Sequence, residues 1–188
     1  MKPLAALLAL IVLLAGCAAP PEPASREQVA DLAAGLMALG PGVDAEEAAR
    51  AAALAYSWSA HLAREYEIVD PPLIHNTKVN LGLKPRGLCW HWAEDMETRL
   101  RAEGFRTLEV QRAIATPGLI GIDHSTALLT LPGGTIYQGI VLDPWRLGGR
   151  LFWSPTVADT RYHWRPQAEV HAEKRREAVA RGEIADGG

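Results

Sequence analysis

Residues 87–93 read Gly87-Leu88-Cys89-Trp90-His91-Trp92-Ala93, and they open a segment with helical periodicity. From about Leu88 to Glu103 apolar side chains recur every three or four residues, and Gly104 supplies a C-terminal stop. The pattern predicts a helix that carries Cys89 in its first turn. Unpaired backbone N–H groups and the positive end of the helix dipole lie there, and both favour a thiolate and later an oxyanion.

Two more helices are predicted upstream of this segment. Ser25 offers an N-cap for a helix to about Leu39. Asp44 and Glu47 form a capping-box pattern before an alanine-rich helix that runs to about Tyr66. The two prolines that follow predict an end to regular structure, with an ordered loop over 73–86.

Downstream of the Cys89 helix the pattern changes to strands. Residues 107–115, 124–131 and 135–142 look extended, and Pro132-Gly133-Gly134 predicts a tight turn between the last two. A further short strand is expected at 151–153 and a final polar helix at about 166–181. Together the predicted helices and strands indicate a single α+β domain with an antiparallel sheet.

The predicted hairpin brings two distant side chains together. His124 begins one strand, and Asp143 ends its neighbour. In an antiparallel pair the start of one strand lies beside the end of the next, so both side chains are expected at one edge. Cys89, His124 and Asp143 then supply a nucleophile, a base and a carboxylate that orients the base, which is the set that thiol catalysis needs.

The motif Gly87-x-Cys89-Trp90-x-x-Ala93, followed by His124 and by Asp143-Pro144, resembles the transglutaminase-like branch of the papain-like cysteine enzymes. The resemblance covers about residues 73–155. It implies a papain/transglutaminase-like core in which a central helix bearing the cysteine packs on an antiparallel sheet bearing the histidine and the aspartate. Such enzymes include protein crosslinkers, proteases and peptide amidases.

The resemblance implies a role for each residue. Cys89 attacks a peptide or amide carbonyl to form a thioester, His124 transfers the protons, and Asp143 orients the imidazole. The backbone N–H of Cys89 contributes to the oxyanion hole, and Asn80 and Asn76 are the candidates for its second donor. Water as acceptor gives hydrolysis, which we expect ahead of transamidation by an amine, because a small domain has little to exclude water.

Large and charged side chains near the triad are candidates for the substrate cleft: Trp90, Trp145, Arg146 and Trp153. Arg146 or Arg150 is also a candidate to bind a substrate carboxylate. His91 lies two residues from Cys89 and is expected at the cleft wall or on the surface.

The N-terminus carries an export pattern. Lys2 precedes an apolar run of eleven residues from Leu4 to Leu14, too short to span a bilayer as a helix. The sequence Leu14-Ala15-Gly16-Cys17 resembles the lipobox of bacterial lipoproteins. We therefore expect a signal peptide over 1–16, lipidation at Cys17, a tether over 17–24 and one domain over 25–188. The residue after Cys17 is not aspartate, which favours the outer membrane over the inner. The alternative is an ordinary signal peptide and a soluble periplasmic protein.

Composition and net charge limit the classes of binding partner that are expected. The 188 residues carry 19 basic and 22 acidic side chains, a net charge of −3 without a long basic run, so no nucleic-acid partner is expected. We expect a peptide or protein substrate in the cell envelope, such as the stem peptides of peptidoglycan, and no cofactor. Two alternatives remain open: a zinc site built from Cys89, His91, His124 and Asp143, which no ligand spacing supports, and an inactive lipid-tethered binding module.

Overall fold

The computed structural model describes residues 23–115 and 123–185. Within these ranges the chain forms an α+β fold with five helices and five strands. The helices are α1 (Arg26–Met37), α2 (Ala45–Glu65), α3 (Pro72–Asn80), α4 (Cys89–Arg101) and α5 (Gln167–Ala180). The strands are β1 (Glu109–Ala115), β2 (His124–Thr130), β3 (Ile140–Leu147), β4 (Arg150–Pro155) and β5 (Arg165–Pro166).

The strands form one antiparallel sheet in the order β4-β3-β2-β1-β5. β2 lies at its centre and is buried along its whole length, because both faces of the sheet are covered. β1 and β2 pair from Ala115 opposite His124 to Glu109 opposite Thr130. This register fixes His124 at the end of the central strand.

The two faces of the sheet pack against different partners. One face presents Leu129 and Leu142 to the apolar sides of α1, α2 and α4, and this contact forms the main core. The opposite face presents Leu128 and Val141 to a smaller cluster that includes Trp164. The strand alternation of two residues therefore sorts neighbouring side chains of β2 into two separate cores.

Glu47 joins α2 to the segment that leads into β1. The Asp44 side chain accepts a hydrogen bond from the Glu47 backbone N–H at 2.9 Å, as the capping pattern predicts. The Glu47 carboxylate does not complete a capping box. It accepts hydrogen bonds from the backbone N–H of Arg106 at 3.0 Å and from the N–H and hydroxyl of Thr107 at 2.8 and 2.7 Å. Glu47, which the sequence indicated as part of a local capping box, therefore connects two segments that lie far apart in the chain.

The helices expected at 25–39, 44–66, 88–103 and 166–181 are confirmed, as are the strands at 107–115 and 124–131 to within two residues. The loop expected over 73–86 is wrong, since α3 occupies Pro72–Asn80. Pro72 stands in the first turn of α3, where the missing N–H of proline would have no helical partner anyway. The prolines therefore start a helix here.

The turn expected at residues 132–134 is also wrong in part. A longer connection containing a short 3₁₀ helix, Ile136–Gln138, follows these residues, and β3 begins only at Ile140. β3 continues to Leu147, so Asp143 lies inside the strand and not at its end. The pairing of β3 with β4 is irregular between Asp143 and Leu147.

The segments predicted for export lie mostly outside the described residues. This applies to the signal peptide at 1–16, to the lipidation site Cys17 and to most of the tether at 17–24. In the part of the chain that the structure describes, no helix combines the length and the apolar character that a membrane span requires.

Replacing Glu47 with glutamine should destabilise the fold by about 2 kcal/mol at pH 7. Burial alone would raise the pKa of Glu47, but the hydrogen bonds from Thr107 and Arg106 lower it to about 2. The stabilisation is therefore complete above the unfolded pKa of 4.5 and is lost as the pH falls towards 2. Urea unfolding midpoints at several pH values measure both effects.

The matched control is Glu46→Gln, which removes the same charge from an exposed position in the same helical turn. Its cost should stay within about 0.5 kcal/mol at every pH. Equal midpoints for the two variants at pH 7 would contradict the role assigned to Glu47.

Candidate active site

The turn before α4 holds Cys89 at the first position of the helix. Leu88 is the N-cap residue in an extended conformation, and Gly87 has a φ of +124°. A Cβ atom at position 87 would collide with the ring of His75, whose Nε2 lies 2.9 Å from the carbonyl oxygen of Arg86. Both the backbone angle and the close contact require glycine. The glycine of the motif thus has a structural reason.

His91 closes the same turn from inside the helix. Its Nδ1 accepts hydrogen bonds from the backbone N–H of Gly87 at 3.1 Å and of Leu88 at 3.2 Å. Burial, and then the charge of Arg86, lower the pKa of His91, so the ring stays neutral and can accept. His91 is buried and caps the helix, whereas the sequence indicated the cleft wall or the surface.

The sheet brings His124 and Asp143 together. His124 is the first residue of β2, Asp143 lies in β3, and strand alternation places both on the face that carries Leu128 and Val141. His124 Nε2 lies 2.7 Å from Asp143 Oδ2. Both side chains are buried, Asp143 with an exposed fraction of 1%. Their contact gives the imidazole one fixed orientation.

The other nitrogen of the His124 ring remains free for chemistry. Nδ1 has no hydrogen-bond partner among the described residues. The Cys89 thiol donates to the carbonyl oxygen of Asp123, the residue before His124, at 3.5 Å. Burial opposes a charge on the ring, but the Asp143 carboxylate and the Cys89 sulfur raise the pKa of His124 to about 9. The ring is therefore an imidazolium at neutral pH.

A buried arginine holds the far side of Asp143. Arg146 Nε donates to Asp143 Oδ2 at 3.0 Å, and the Arg146 backbone N–H donates to Oδ1 at 3.1 Å. The two terminal guanidinium nitrogens donate to Asp159 at 3.1 and 2.6 Å. All three side-chain nitrogens thus bind protein carboxylates, so the positive charge of Arg146 is already paired within the fold.

Asp159 is the second carboxylate of this network. It also accepts a hydrogen bond from Trp164 Nε1 at 2.9 Å. Burial alone would raise the pKa of Asp159, but the bonds from Arg146 and Trp164 lower it. The buried charges therefore run in an alternating series from His124 through Asp143 and Arg146 to Asp159.

Aromatic rings enclose the imidazole of His124. The His124 ring centre lies 4.4 Å from that of Tyr162, 4.7 Å from that of Trp145 and 5.4 Å from that of Trp164. These rings keep water from the His124–Asp143 pair and restrict rotation of the imidazole. A low local dielectric strengthens the attraction between the two charged groups.

A cavity of about 480 Å³ opens over this site. Cys89, His124, Asn76, Trp145 and Arg146 all line it. Three segments supply the remaining walls. The start of α3 supplies Pro71, Pro72 and Leu73, the residue before β2 is Asp123, and the segment after β4 supplies Arg161 and Tyr162. A volume of this size accommodates several residues' worth of an extended substrate or one small molecule.

Four other candidate residues lie away from this cavity. Trp90 is 47% exposed and stacks beside His91. Trp153 packs into the main core, where it faces Gly35 of α1. Asn80 is exposed at the end of α3, and Arg150 lines a separate small depression near Tyr56. None of the four is among the residues that line the cavity over Cys89.

Asn76, the other oxyanion candidate, does line the cavity. Its Oδ1 accepts a hydrogen bond from Trp145 Nε1 at 3.0 Å. Because the indole N–H can only donate, it fixes which end of the amide faces Trp145. The amide nitrogen of Asn76, which carries two N–H donors, then points away from the indole.

The segment 159–164 supplies site residues that the sequence analysis missed: Asp159, Arg161, Tyr162 and Trp164. The segment has no regular periodicity and stands about 70 residues after Cys89. The only feature of its sequence that suggests a functional role is the mixture of charged and aromatic residues in a short stretch. Such a mixture does not predict which residues the segment will contact.

Comparison of the chain with protein-family models, with curated proteins and with solved structures gives no match. Across residues 23–115 and 123–185, no three His, Cys, Asp or Glu side chains form a group that could hold a metal ion. His91, one of the four side chains weighed for zinc, directs its Nδ1 to two backbone N–H groups.

Asp159→Asn should lower the pKa of His124 by about one unit. Without the Asp159 charge, Arg146 becomes an uncompensated buried cation beside Asp143, so less of the Asp143 charge acts on the imidazole. In the native protein a proton on His124 stabilises the fold fully below pH 6.5, and this contribution is lost as the pH rises through about 9. NMR titration of the His124 ring measures the shift.

Asp123→Asn is the control, since it removes an equal charge from a half-exposed residue next to His124. Solvent screens that charge, and Lys174 already pairs with it. If the pKa of His124 falls by the same amount in both variants, the role assigned to Asp159 is wrong.

Proposed function

We propose that the protein is a thiol acyl-transfer enzyme that cleaves peptide or amide bonds through a thioester on Cys89. One observation carries the proposal: the His124 imidazolium is bonded at Nε2 to a buried carboxylate, while its Nδ1 has no partner among the described residues and the ring lines the same cavity as the Cys89 thiol. A thiolate next to an imidazolium is the reactive form of catalytic cysteines. Buried structural thiols have no need of such a partner.

The first half of the reaction forms the thioester. The Cys89 thiolate attacks the carbonyl carbon, a carbon–sulfur bond forms, and the carbonyl oxygen becomes an oxyanion. The His124 imidazolium then gives its Nδ1 proton to the departing amine as the carbon–nitrogen bond breaks. In the second half, neutral His124 takes a proton from the incoming water or amine as its oxygen or nitrogen bonds to the acyl carbon. The carbon–sulfur bond then breaks and releases the thiolate.

Two groups of donors are available for the oxyanion. The backbone N–H of Cys89 lies in the first turn of α4, where helical N–H groups have no carbonyl partner within the helix. Asn76 lines the same cavity, and Trp145 holds its amide so that the N–H₂ end is directed elsewhere. We therefore assign the second donor to Asn76 and not to Asn80.

The arrangement supports membership of the transglutaminase-like branch of the papain-like enzymes. A cysteine at a helix N-terminus, with histidine and aspartate on adjacent antiparallel strands, is what the resemblance implies. Hydrolysis is the proposed outcome, because the cavity is open and water can reach the thioester. The Cys17 segment supports a location on the periplasmic side of a bacterial membrane, with envelope peptides as substrates.

Cys89 should react rapidly with iodoacetamide well below pH 7. A thiol with an ordinary pKa of about 8.5 is only about 0.3% thiolate at pH 6, so its alkylation rate falls steeply there. The pKa of His124 is raised to about 9, so the imidazolium keeps its charge over this whole range and attracts the anionic sulfur of the proposed ion pair. Replacing His124 with alanine should slow alkylation at pH 6 by about 100-fold. Mass spectrometry of the Cys89 peptide follows the reaction.

A slow alkylation rate that follows an ordinary thiol titration in both proteins would remove the catalytic proposal. His91→Gln is the comparison variant, because His91 is close in sequence but caps the helix. Circular dichroism of each variant separates a loss of reactivity from a loss of fold.

Incubation with envelope peptides should place an acyl group on Cys89. The adduct should be released by hydroxylamine, as thioesters are, and should be absent from Cys89→Ala. Adding a primary amine probe tests the acceptor: free carboxylic acid as the main product indicates hydrolysis, and the probe amide indicates transamidation. Rapid alkylation of Cys89 without any acyl adduct or product would instead favour an inactive binding module.

A further inference from the structure

Arg161 shares the cavity with Cys89 and His124. Its backbone N–H donates to Asp159 Oδ1 at 3.2 Å, so the residue is attached to the same buried carboxylate that holds Arg146. Its guanidinium carbon lies 5.7 Å from the centre of the Tyr162 ring, which itself contacts the His124 ring. The backbone of Arg161 is therefore fixed near the site, while its side chain is exposed to solvent.

The other charged side chains that line the cavity have partners. Arg146 binds Asp143 and Asp159, and Asp123 pairs with Lys174. Within the described ranges Arg161 forms no ion pair with an acidic side chain.

Part of the cavity lining is apolar. Pro71, Pro72 and Leu73 contribute it at the start of α3, and Leu73 is 62% exposed. A substrate bound in the cavity therefore has both apolar side chains and the Arg161 guanidinium available to it. The guanidinium fork matches a carboxylate in shape and charge.

We propose that Arg161 is a specificity-determining residue that binds a carboxylate carried by the substrate close to the amide bond that Cys89 attacks. The proposal rests on the proposed thiol chemistry and names its substrate class: peptides or amides with an acidic side chain or a free carboxylate beside the reacting bond. Arg161 takes the place that the sequence suggested for Arg146 or Arg150.

The experiment compares two maleimides of equal length, one ending in a carboxylate and the other in the corresponding carboxamide. Both react with the Cys89 thiol, and mass spectrometry of the Cys89 peptide gives each rate. The native protein should react faster with the acidic reagent, by about two- to fivefold, which is the range for one exposed charge pair. High salt should reduce the preference, because it screens exposed charges.

Arg161→Gln should abolish the preference, so that the ratio of the acidic to the neutral rate falls to about one. Arg161→Lys should keep part of it, since the charge remains but the fork is lost. Arg150→Gln is the control, as it removes an exposed arginine outside the cavity. The preference of Arg150→Gln for the acidic reagent over the neutral one should equal that of the native protein.

The outcomes separate two failures. Rapid reaction of Cys89 with both reagents at equal rates, or a preference that survives in Arg161→Gln, overturns the role of Arg161 and leaves the thiol chemistry standing. Failure of Cys89 to react with either reagent below pH 7 overturns the thiol chemistry, and the role of Arg161 falls with it.

Discussion

A carboxylate buried in the interior, that of Asp143, is the constraint on which the site depends. An ionised group with an exposed fraction of 1% is stable only if charged partners and hydrogen bonds replace the water it has lost. His124 supplies one partner and Arg146 the other, and burial of Arg146 in turn requires Asp159. Each buried charge is thus stabilised by a neighbour of opposite charge. The series ends at Asp159, which accepts a hydrogen bond from the indole N–H of Trp164.

This series couples the proposed chemistry to the packing of the sheet. His124 and Asp143 occupy neighbouring strands on the face that the smaller core covers, so the same rings that fill this core enclose the imidazole. Cys89 comes from the opposite layer, since α4 packs on the face of the main core. The thiol contacts the carbonyl oxygen of Asp123, the residue before β2, where the two layers meet. The proposed site is therefore an interface between the two halves of the fold.

The turn before α4 shows how a motif can combine structure with chemistry. Gly87 is required by its backbone angle and by contact with His75, and His91 caps the turn with a ring nitrogen. These residues do not touch the proposed reacting atoms. They place the first N–H groups of the helix beside the cavity, where an oxyanion would form. A short sequence around a cysteine can therefore be constrained mainly by the geometry of the turn.

The sequence by itself determined the α+β class, the helix that starts at Cys89 and the pairing of the strands that carry His124 and Asp143, because local periodicity and short connections carry that information. It misjudged α3, where two prolines start a helix, and the position of Asp143 within β3. Only the tertiary structure decided the partners of Arg146, the core position of Trp153 and the contribution of residues 159–164. These depend on which buried charges and rings meet across the fold, and no local pattern encodes that, since the contacts join segments far apart in the chain.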